Sequence, residues 1–523
     1  MDIIIKNGQV FDGTGNPSTK LDIGIQNGKI ASMNHSINGQ AKIEIDAEHL
    51  AVAPGFIDTH SHSDLLVTKP DVHKVKLMQG VTTELFGQDG LSAAPVSQET
   101  KSLWQKQLAG LNGDIGDWPW ESVEEYLNHL ETVKIGGNAL YLVPHGAVRT
   151  LVMGFEERTA TKEELEQMTK LVEEGMNQGA IGVSSGLIYP PNVFSNKEEL
   201  VAICKGAIKK DGVFVVHIRN ESNKALEALE EVVDVARQTG IRLHVSHFKV
   251  AGKRNRDKYT LFLQKLDEAR EEGIEVTFDQ YPYTAGSTVL HSILPPWMHS
   301  GGTETMLKKL EDEDIRAKIK QEFIENGDYE NWVFNCGWEN IVVNAVKTEQ
   351  NKHIEGKNMV EIAQLRGQEP DDAALDLLVE ESAAITMTVH WGVEEDLIYG
   401  MKHPLQMVGS DGIFGGKPHP RLYGTFARVL GRYVRDEKVF TLAEGIRKMT
   451  GAAAQMLRLK DRGYLREGYW ADVVVFDPKK IEDHATYDDP LQLPSGILHV
   501  IVNGELVVHH GEFTGNLKGQ VLR

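Results

Sequence analysis

A short apolar strand, a helix with 3.6-residue periodicity and a glycine follow one another repeatedly through the middle of this chain. This rhythm predicts eight strands, over residues 56–59, 81–86, 139–143, 180–184, 213–218, 241–246, 274–279 and 405–409. Thr161 and Ser195 each precede a glutamate by three residues, which marks the start of two of the helices. Parallel strands need helical crossovers, and closing the sheet removes its unpaired edges. The pattern therefore predicts an α/β fold, a TIM-like (β/α)8 barrel, with a doubly wound open sheet as the structural alternative.

The two ends of the chain have a different pattern, in which short alternating strands are separated by Asn-Gly and Gly turns. We expect residues 1–53 and 461–523 to form the two parts of one small β-sandwich domain, with the barrel at 54–460 between them. The interval 287–404, before the eighth strand, is too long for a loop and contains helical stretches of its own. It predicts a lid or subdomain inserted into the barrel.

Histidines and one aspartate stand at the ends of four of the predicted strands. Strand one ends in His60-Ser61-His62, strand five in His217, strand six in His247 and strand eight in Asp411. Barrel active sites lie at the carboxyl ends of the strands, and the alternation of side chains puts both imidazoles of a His-x-His on one side. Buried histidines and aspartates are costly unless they are paired or bind a metal. The set therefore predicts a divalent-metal site.

The composition argues against several other classes of protein. Lys and Arg number 55 against 76 Asp and Glu, so the net charge is −21, which argues against a nucleic-acid partner. No stretch approaches the ~20 apolar residues that a membrane span needs, and the start of the chain does not have the pattern of a signal peptide. The two cysteines, Cys204 and Cys336, are too few for a disulfide framework, so a reducing cytoplasm fits best. The sequence leaves the oligomeric state open, a homo-oligomer included.

Several motifs together give the chain a specific resemblance. They are Gly80-Val81-Thr82-Thr83, Ser184-Ser185-Gly186-Leu187-Ile188-Tyr189-Pro190-Pro191, His217-Ile218-Arg219-Asn220-Glu221, Ser246-His247-Phe248-Lys249, Asp279-Gln280-Tyr281-Pro282-Tyr283, Gly409-Ser410-Asp411-Gly412 and the run from Pro418 to Phe426. With the ordered histidines and the split sandwich, they resemble the amidohydrolase superfamily, and within it the N-acyl-D-amino-acid deacylase (D-aminoacylase) family. The resemblance covers almost the whole chain. It implies metal-dependent hydrolysis of N-acyl-D-amino acids to a carboxylate and a free D-amino acid.

The resemblance also implies which residues hold the metal. His217 and His247 would ligate the tighter ion, expected to be zinc, while His60 and His62 would form or complete a second, weaker position, so one or two Zn²⁺ ions are expected. Asp411, beside these ligands, would take a proton from the attacking water and deliver it to the departing amine.

The same resemblance implies how the substrate is bound. Tyr189, just beyond strand four, would donate a hydrogen bond to the carbonyl oxygen as negative charge develops. The partner would be a small molecule with a free carboxylate, bound by Lys249, Tyr281 or Tyr283, and Arg421, with Ser287 as a further candidate. The stretch 284–297 contains no arginine to pair with an acidic side chain, so a neutral or apolar substrate side chain is expected.

One position departs from the family. Where the family usually carries Gly-Asn-Cys-Gly, this chain has Gly87-Gln88-Asp89-Gly90, so Asp89 stands at the position of a metal-ligating thiolate. A carboxylate is a harder ligand, which favours Mn²⁺ or Co²⁺ beside zinc, or a two-metal site bridged by the carboxylate. His390 ends a strand-like segment, and we expect it to be a packed histidine.

Two other interpretations stay open. The same site would suit a cyclic amidase or deaminase, or a dipeptidase specific for a D residue, although a neutral cyclic substrate would not need both Lys249 and Arg421. The third interpretation is a non-catalytic scaffold with the amidohydrolase fold. The retained histidines and the carboxylate base weigh against it.

Overall fold

The structure, a computed structural model, describes residues 1–112 and 116–523. Its strands are β1 (Ile3–Val10), β2 (Thr19–Gln26), β3 (Lys29–Asn34), β4 (Ile43–Asp46), β5 (Ala51–Pro54), β6 (Phe56–Asp58), β7 (Val81–Phe86), β8 (Asn138–Pro144), β9 (Gly182–Gly186), β10 (Val213–His217), β11 (Arg242–Val245), β12 (Val276–Gln280), β13 (Ala285–Val289), β14 (Ile341–Ala345), β15 (Thr386–His390), β16 (Gln406–Val408), β17 (Val473–Phe476), β18 (Ile497–Val502), β19 (Glu505–His509) and β20 (Glu512–Phe513). Its helices are α1 (Pro70–Leu77), α2 (Gln98–Asn112), α3 (Val123–Val133), α4 (His145–Met153), α5 (Lys162–Asn177), α6 (Lys197–Ile208), α7 (Ala225–Thr239), α8 (Lys258–Glu271), α9 (Thr303–Lys309), α10 (Glu313–Phe323), α11 (Trp332–Cys336), α12 (Met359–Arg366), α13 (Pro370–Glu380), α14 (Glu394–Met401), α15 (Arg421–Arg428), α16 (Leu442–Met449) and α17 (Gly451–Met456), with a π-helical turn over Val429–Asp436.

Eight parallel strands of the described residues form the barrel. They pair in the order β6, β7, β8, β9, β10, β11, β12 and β16. A parallel bridge between Ser61 and Gly412 joins the chain after β6 to the chain after β16, so the first and eighth strands are neighbours. The predicted (β/α)8 barrel is therefore confirmed as a nearly closed ring, and the predicted strand bounds agree with the observed ones to within two residues.

Apolar side chains fill the barrel on the side of α17. Ile57, Leu142, Val215 and Met407, from four different strands, pack in one cluster with the alanines of α17. The polar side chains of the strand ends gather on the opposite side. Across the described ranges, no helix combines the length and the apolarity needed to cross a bilayer.

Both ends of the chain contribute to one further sheet. Its strands lie in the order β20, β19, β18, β17, β5, β1, β2 and β3, with β4 beside β1. Ile25, Val52, Val475 and Ile501 share its core, so strands from both ends of the chain lie in one sheet with one core. Strand β5, which the sequence pattern did not predict, joins the halves because it pairs with β1 on one edge and with β17 on the other.

A three-stranded antiparallel sheet, β13-β15-β14, lies between barrel strands β12 and β16 together with helices α9 to α13. Met298, Ile341 and Leu377 belong to a hydrophobic core of its own. This segment lies where the sequence predicted the insertion, and its first strand starts at Ala285, two residues before the predicted boundary. It places several side chains over the carboxyl ends of the barrel strands.

The two predicted helix starts differ in outcome. The side chain of Thr161 accepts a hydrogen bond from Glu164 N, so this predicted cap is confirmed. The prediction at Ser195 was wrong by one residue, because Asn196 is the cap and accepts from Glu199 N. Asparagine offers the same kind of side-chain acceptor, while the Ser195 hydroxyl donates to Asn192 O instead.

Candidate metal centre and active site

The carboxyl ends of the barrel strands bring the predicted ligands together. His60 and His62 follow β6, His217 ends β10, His247 follows β11 and Asp411 follows β16. None of these five residues is more than 5% exposed. Five ionisable side chains thus lie buried at one end of the barrel, where barrel enzymes carry their active sites.

Asp89, at the position where the family carries cysteine, lies between two pairs of histidines. Its Oδ2 is 3.5 Å from His60 Nε2 and 3.4 Å from His62 Nε2. Its Oδ1 is 3.8 Å from His247 Nε2, and Asp89, His217 and His247 form a second group whose ligand atoms lie no more than 4.8 Å apart. Each oxygen of one carboxylate therefore faces a different histidine pair, which is the geometry of a bridging ligand.

The donor set fits a divalent cation. Asp89 Oδ1 and both ring nitrogens of His217 are buried without a hydrogen-bond partner. Burial lowers the pKa of His217 to about 3, which leaves the imidazole neutral. Burial alone would raise the pKa of Asp89, but the neighbouring imidazoles of His60 and His247 hold that pKa well below its usual value. Asp89 is thus a charged carboxylate and His217 a neutral imidazole, the forms in which these groups bind zinc. Burial alone would lower the pKa of His247 and of His62, but the neighbouring carboxylates raise it to about 9 and about 10 respectively, so a metal ion would displace a proton from each of these two rings.

Three of these residues have an unusual backbone conformation. Asp89, His247 and Asp411 have φ values of 56°, 35° and 51°, in the left-handed region that side chains with a Cβ rarely adopt. Hydrogen bonds hold two of them, since His247 N donates to Asp279 Oδ1 (2.6 Å) and Asp411 N donates to His60 O (2.8 Å). Such strain clusters at functional sites, where the surrounding structure fixes it.

Asp411 lies between His62 and the guanidinium of Arg421. Its Oδ1 is 3.3 Å from His62 Nε2, and its Oδ2 is 2.9 Å from Arg421 Nη1. Burial would raise the pKa of Asp411, but the guanidinium of Arg421 and the neighbouring imidazoles outweigh it and lower the pKa below its usual value. The carboxylate is therefore ionised and can accept a proton.

A small cavity opens on this cluster. Of the side chains predicted to bind substrate, it is lined by Tyr189, Lys249, Tyr281, Ser287 and Arg421. Tyr283 is not among the lining residues, and its hydroxyl lies 3.4 Å from Pro420 O. The structure thus brings Tyr281 to the site and leaves Tyr283 behind it.

Two further predicted residues, Tyr189 and His390, have different surroundings. The hydroxyl of Tyr189 lies 2.8 Å from Thr288 Oγ1, and burial raises the pKa of Tyr189 well above its usual value, so it keeps its proton. His390 packs its ring 5.0 Å from that of Tyr487 and belongs to none of the clusters that could hold a metal among the described residues.

The sequence argument missed several residues of the site. Trp332, Val389 and Trp391 come from the inserted segment and line the cavity, although nothing in their local sequence indicates it. Glu221 does carry a signal, because it is a carboxylate four residues after the strand-end His217.

Glu221 contacts both histidines of one pair. It is 1% exposed, its Oε2 lies 3.4 Å from His217 Nε2, and its Oε1 lies 3.1 Å from His247 Nδ1. Lys249 Nζ donates to the same Oε1 at 2.8 Å. Burial would raise the pKa of Glu221, but His217 and Lys249 lower it to about 2. One carboxylate thus contacts the rings of both histidines, as carboxylates commonly do behind zinc ligands.

We expect Glu221→Gln to lower the zinc affinity of the protein by about 10–100-fold, because a neutral amide orients the two imidazoles less well. Competition with a chromogenic chelator measures the affinity. Glu231→Gln is the control, since Glu231 pairs with Arg219 at 2.9 Å outside the ligand set. An unchanged zinc affinity in Glu221→Gln would contradict this role.

Comparison with known proteins identifies the class of protein that this fold and site define. The model of the amidohydrolase family matches residues 44–321 and 400–508, more than half of the chain. The chain therefore belongs to the amidohydrolase family and is an enzyme. The unmatched interval between the two ranges falls within the inserted segment.

Full-length relatives narrow the assignment. The chain is 33% identical over 524 residues to the D-aminoacylase of Alcaligenes xylosoxydans xylosoxydans, covering 100% of this chain and 97% of the relative. It is 32% identical to the N-acyl-D-glutamate deacylase of the same organism, covering 96% of this chain and 93% of the relative. A crystal structure of the N-acyl-D-glutamate deacylase of Bordetella bronchiseptica, complexed with zinc and a phosphonate inhibitor, matches with a TM-score of 0.83 at 31% identity over 100% of this chain and 99% of that one. The predicted resemblance to the D-aminoacylases is confirmed.

Proposed function

We propose that the protein is a metal-dependent deacylase that hydrolyses the amide bond of N-acyl-D-amino acids to a carboxylate and a free D-amino acid. One observation carries the proposal: Asp411 lies 3.3 Å from His62 Nε2 on one side and 2.9 Å from Arg421 Nη1 on the other. A base in this position reaches water at the histidine cluster, while the neighbouring guanidinium suits the free carboxylate of a substrate. The names of the relatives support the D configuration.

We assign zinc as the metal. Because the carboxylate of Asp89 is a harder ligand than the thiolate usual in the family, it also favours manganese or cobalt. His217, His247 and Asp89 would hold one ion, and His60, His62 and Asp89 would hold a second. Asp411 forms a third possible group with His60 and His247. A divalent ion supplies Lewis-acid activation of water and of the amide carbonyl.

The side chains around the cluster supply the proton transfers. Asp411 accepts a proton from the attacking water at its carboxylate and passes that proton to the nitrogen of the departing amine. The hydroxyl of Tyr189, which contacts Thr288 Oγ1, donates instead to the substrate's carbonyl oxygen as negative charge develops there.

The cavity suits a substrate with a neutral or apolar side chain. Trp332, Val389 and Trp391 form an apolar wall that the inserted segment provides, so this segment acts as a lid over the substrate. Among the described residues, Lys249 and Arg421 are the lysine and arginine side chains that line the cavity. Lys249 is paired with Glu221, and Arg421 is assigned to the free carboxylate of the substrate. No cation is therefore left for an acidic side chain.

The location we assign is the cytoplasm. Cys204 is buried and Cys336 is half-buried, and neither forms a disulfide, as in proteins kept in a reducing compartment. A small molecule with a free carboxylate is the partner that the site requires.

The experiment is hydrolysis of paired N-acetyl-D- and N-acetyl-L-amino acids by protein reconstituted with zinc, manganese or cobalt. The panel spans leucine, methionine, asparagine and glutamate. We expect amino acid to be released from the D compounds alone, fastest for leucine or methionine. Equal turnover of both enantiomers, or no turnover with any metal, would contradict the proposal, and cyclic imides and D-dipeptides would then be tested.

A further inference from the structure

We propose that Glu330, a carboxylate of the inserted segment, is a positioning residue of the metal centre. It fixes the backbone of Glu221, the residue whose carboxylate contacts the rings of His217 and His247. The proposal rests on the proposed function, because it concerns the metal site of that reaction. It gives the inserted segment a second role beside that of covering the substrate.

Glu330 lies two residues before Trp332, the first residue of α11. It belongs to the part of the inserted segment that the family model leaves unmatched. The residue is buried, with 3% of its surface exposed, and it is not among the residues that line the cavity over the metal cluster. Any effect of Glu330 on the metal centre therefore passes through the protein groups that it contacts.

Each oxygen of the Glu330 carboxylate accepts a hydrogen bond from the loop that follows β10. Oε2 accepts from Glu221 N, and Oε1 accepts from Ser222 Oγ at 2.6 Å. The carbonyl oxygen of Glu221 accepts from Ala251 N at 2.6 Å. The backbone of Glu221 is thus fixed on both sides, by the inserted segment at its N–H and by the chain after β11 at its carbonyl.

The position of the Glu221 backbone decides where its carboxylate meets the two rings. Oε1 lies 3.1 Å from His247 Nδ1, and Oε2 lies 3.4 Å from His217 Nε2. His247 turns its other ring nitrogen, Nε2, towards Asp89, so Glu221 contacts this ring on the side away from that ligand. Carboxylates behind metal-binding histidines set the orientation of the rings. A shift of the Glu221 backbone would therefore disturb both imidazoles.

Helix α11 holds the same loop at a second point. Asn335 Nδ2 donates to Ser222 Oγ at 3.0 Å, so the hydroxyl of Ser222 lies between Glu330 and Asn335. Trp332, on the same helix, lines the catalytic cavity. A movement of α11 that opened the cavity would therefore also pull on the hydrogen bonds to residues 221 and 222. The lid and the metal centre are coupled through these bonds.

The first measurement is the zinc affinity of the full chain, by competition with a chromogenic chelator at about pH 8.5. Burial raises the pKa of Glu330 to about 7, so its carboxylate is ionised under this condition. Glu330→Ala removes both acceptors, and we expect it to lower the zinc affinity about tenfold. Glu330→Gln keeps an acceptor for Glu221 N and offers its amide N–H to Ser222 Oγ, so we expect an affinity within about twofold of the wild type.

The cobalt-substituted protein and steady-state kinetics give two further readouts. We expect Glu330→Ala to change the visible absorption of bound Co²⁺, which depends on the arrangement of its ligands, and Glu330→Gln to keep the spectrum of the wild type. With N-acetyl-D-leucine, kcat of zinc-loaded Glu330→Ala is expected to fall about tenfold with KM within about twofold, because Glu330 does not line the cavity.

Glu381→Ala is the matched control. Glu381 is a fully buried carboxylate of the same inserted segment, and its Oε2 likewise accepts from backbone N–H groups, those of Lys347 at 2.6 Å and Thr348 at 2.8 Å. It does not line the catalytic cavity. We expect Glu381→Ala to lose stability but to keep the zinc affinity and the cobalt spectrum of the wild type. If Glu330→Ala does not fold, Glu330→Asp takes its place, with a smaller loss of zinc affinity expected.

A double-mutant cycle tests whether Glu330 acts through Glu221. In the Glu221→Gln background we expect Glu330→Ala to lower the zinc affinity by less than about twofold further, because residues that act as one unit are not additive. Absence of turnover by the wild type would contradict the proposed function, whereas the zinc affinity and the cobalt spectrum test Glu330 without turnover.

Four results would each overturn the role of Glu330. The first is a Glu330→Ala variant with the zinc affinity or the cobalt spectrum of the wild type, and the second is a Glu330→Gln variant that loses as much affinity as Glu330→Ala. The third is an equal loss in Glu381→Ala, and the fourth is full additivity of the losses in Glu221→Gln and Glu330→Ala.

Discussion

Asp411→Asn is expected to lower kcat for N-acetyl-D-leucine by about 10²–10⁴-fold, the range observed when a general base is removed. Asparagine has the size of aspartate, but its amide neither takes a proton from water nor returns one to the leaving amine. The side chain is 8% exposed, so bulk water does not easily replace it as a proton acceptor. Steady-state kinetics of the zinc-loaded variant measures the loss.

Asp483→Asn is a matched control for this change. Asp483 pairs with Arg428 at 2.9 Å, the same distance as between Asp411 and Arg421, but it lies outside the catalytic cavity. We expect the control to keep kcat within about twofold of the wild type. Zinc content measured in parallel separates loss of the base from loss of the metal. A zinc-loaded Asp411→Asn with kcat within tenfold of the wild type would exclude Asp411 as the base.

Asp89→Asn is expected to weaken zinc binding by at least about 100-fold, more than the loss of a residue that only orients a ligand. The reason is geometric, since Oδ2 faces His60 and His62 while Oδ1 faces His247 of the other pair. An amide loses the negative charge and presents a nitrogen to one of the two pairs. Metal content per chain and competition with a chelator measure the stoichiometry and the affinity.

Asp89→Cys provides the matching rescue, because cysteine is the residue that the family usually carries at this position. A thiolate is a softer ligand, so we expect zinc binding to return and the binding of manganese to fall relative to the wild type. If Asp89→Asn retains zinc with the affinity of the wild type, the carboxylate is not a ligand, and the two histidine pairs act without a bridge.

The barrel and the location of its site could be predicted from the sequence, because the signals are local. The eight strands follow from apolar runs bounded by glycines, and the histidines at their ends follow from strand position alone. The start of one helix at Asn196 could not be separated from Ser195, since both side chains offer a capping oxygen. The choice between Tyr281 and Tyr283 was likewise open. The sequence of an irregular segment does not show which of two tyrosines, two residues apart, points into the cavity.

The sequence by itself determined the fold class, the metal-binding residue types and the family, since these depend on periodicity and on short motifs. Only the tertiary structure decided that Asp89 lies between two histidine pairs, because that depends on its left-handed backbone after β7. Only the tertiary structure placed Trp391 at the cavity, because the pairing of β13 with β15 brings Val389 opposite Gly286. Contacts between residues about a hundred positions apart arise from strand pairing and packing, which no local pattern records.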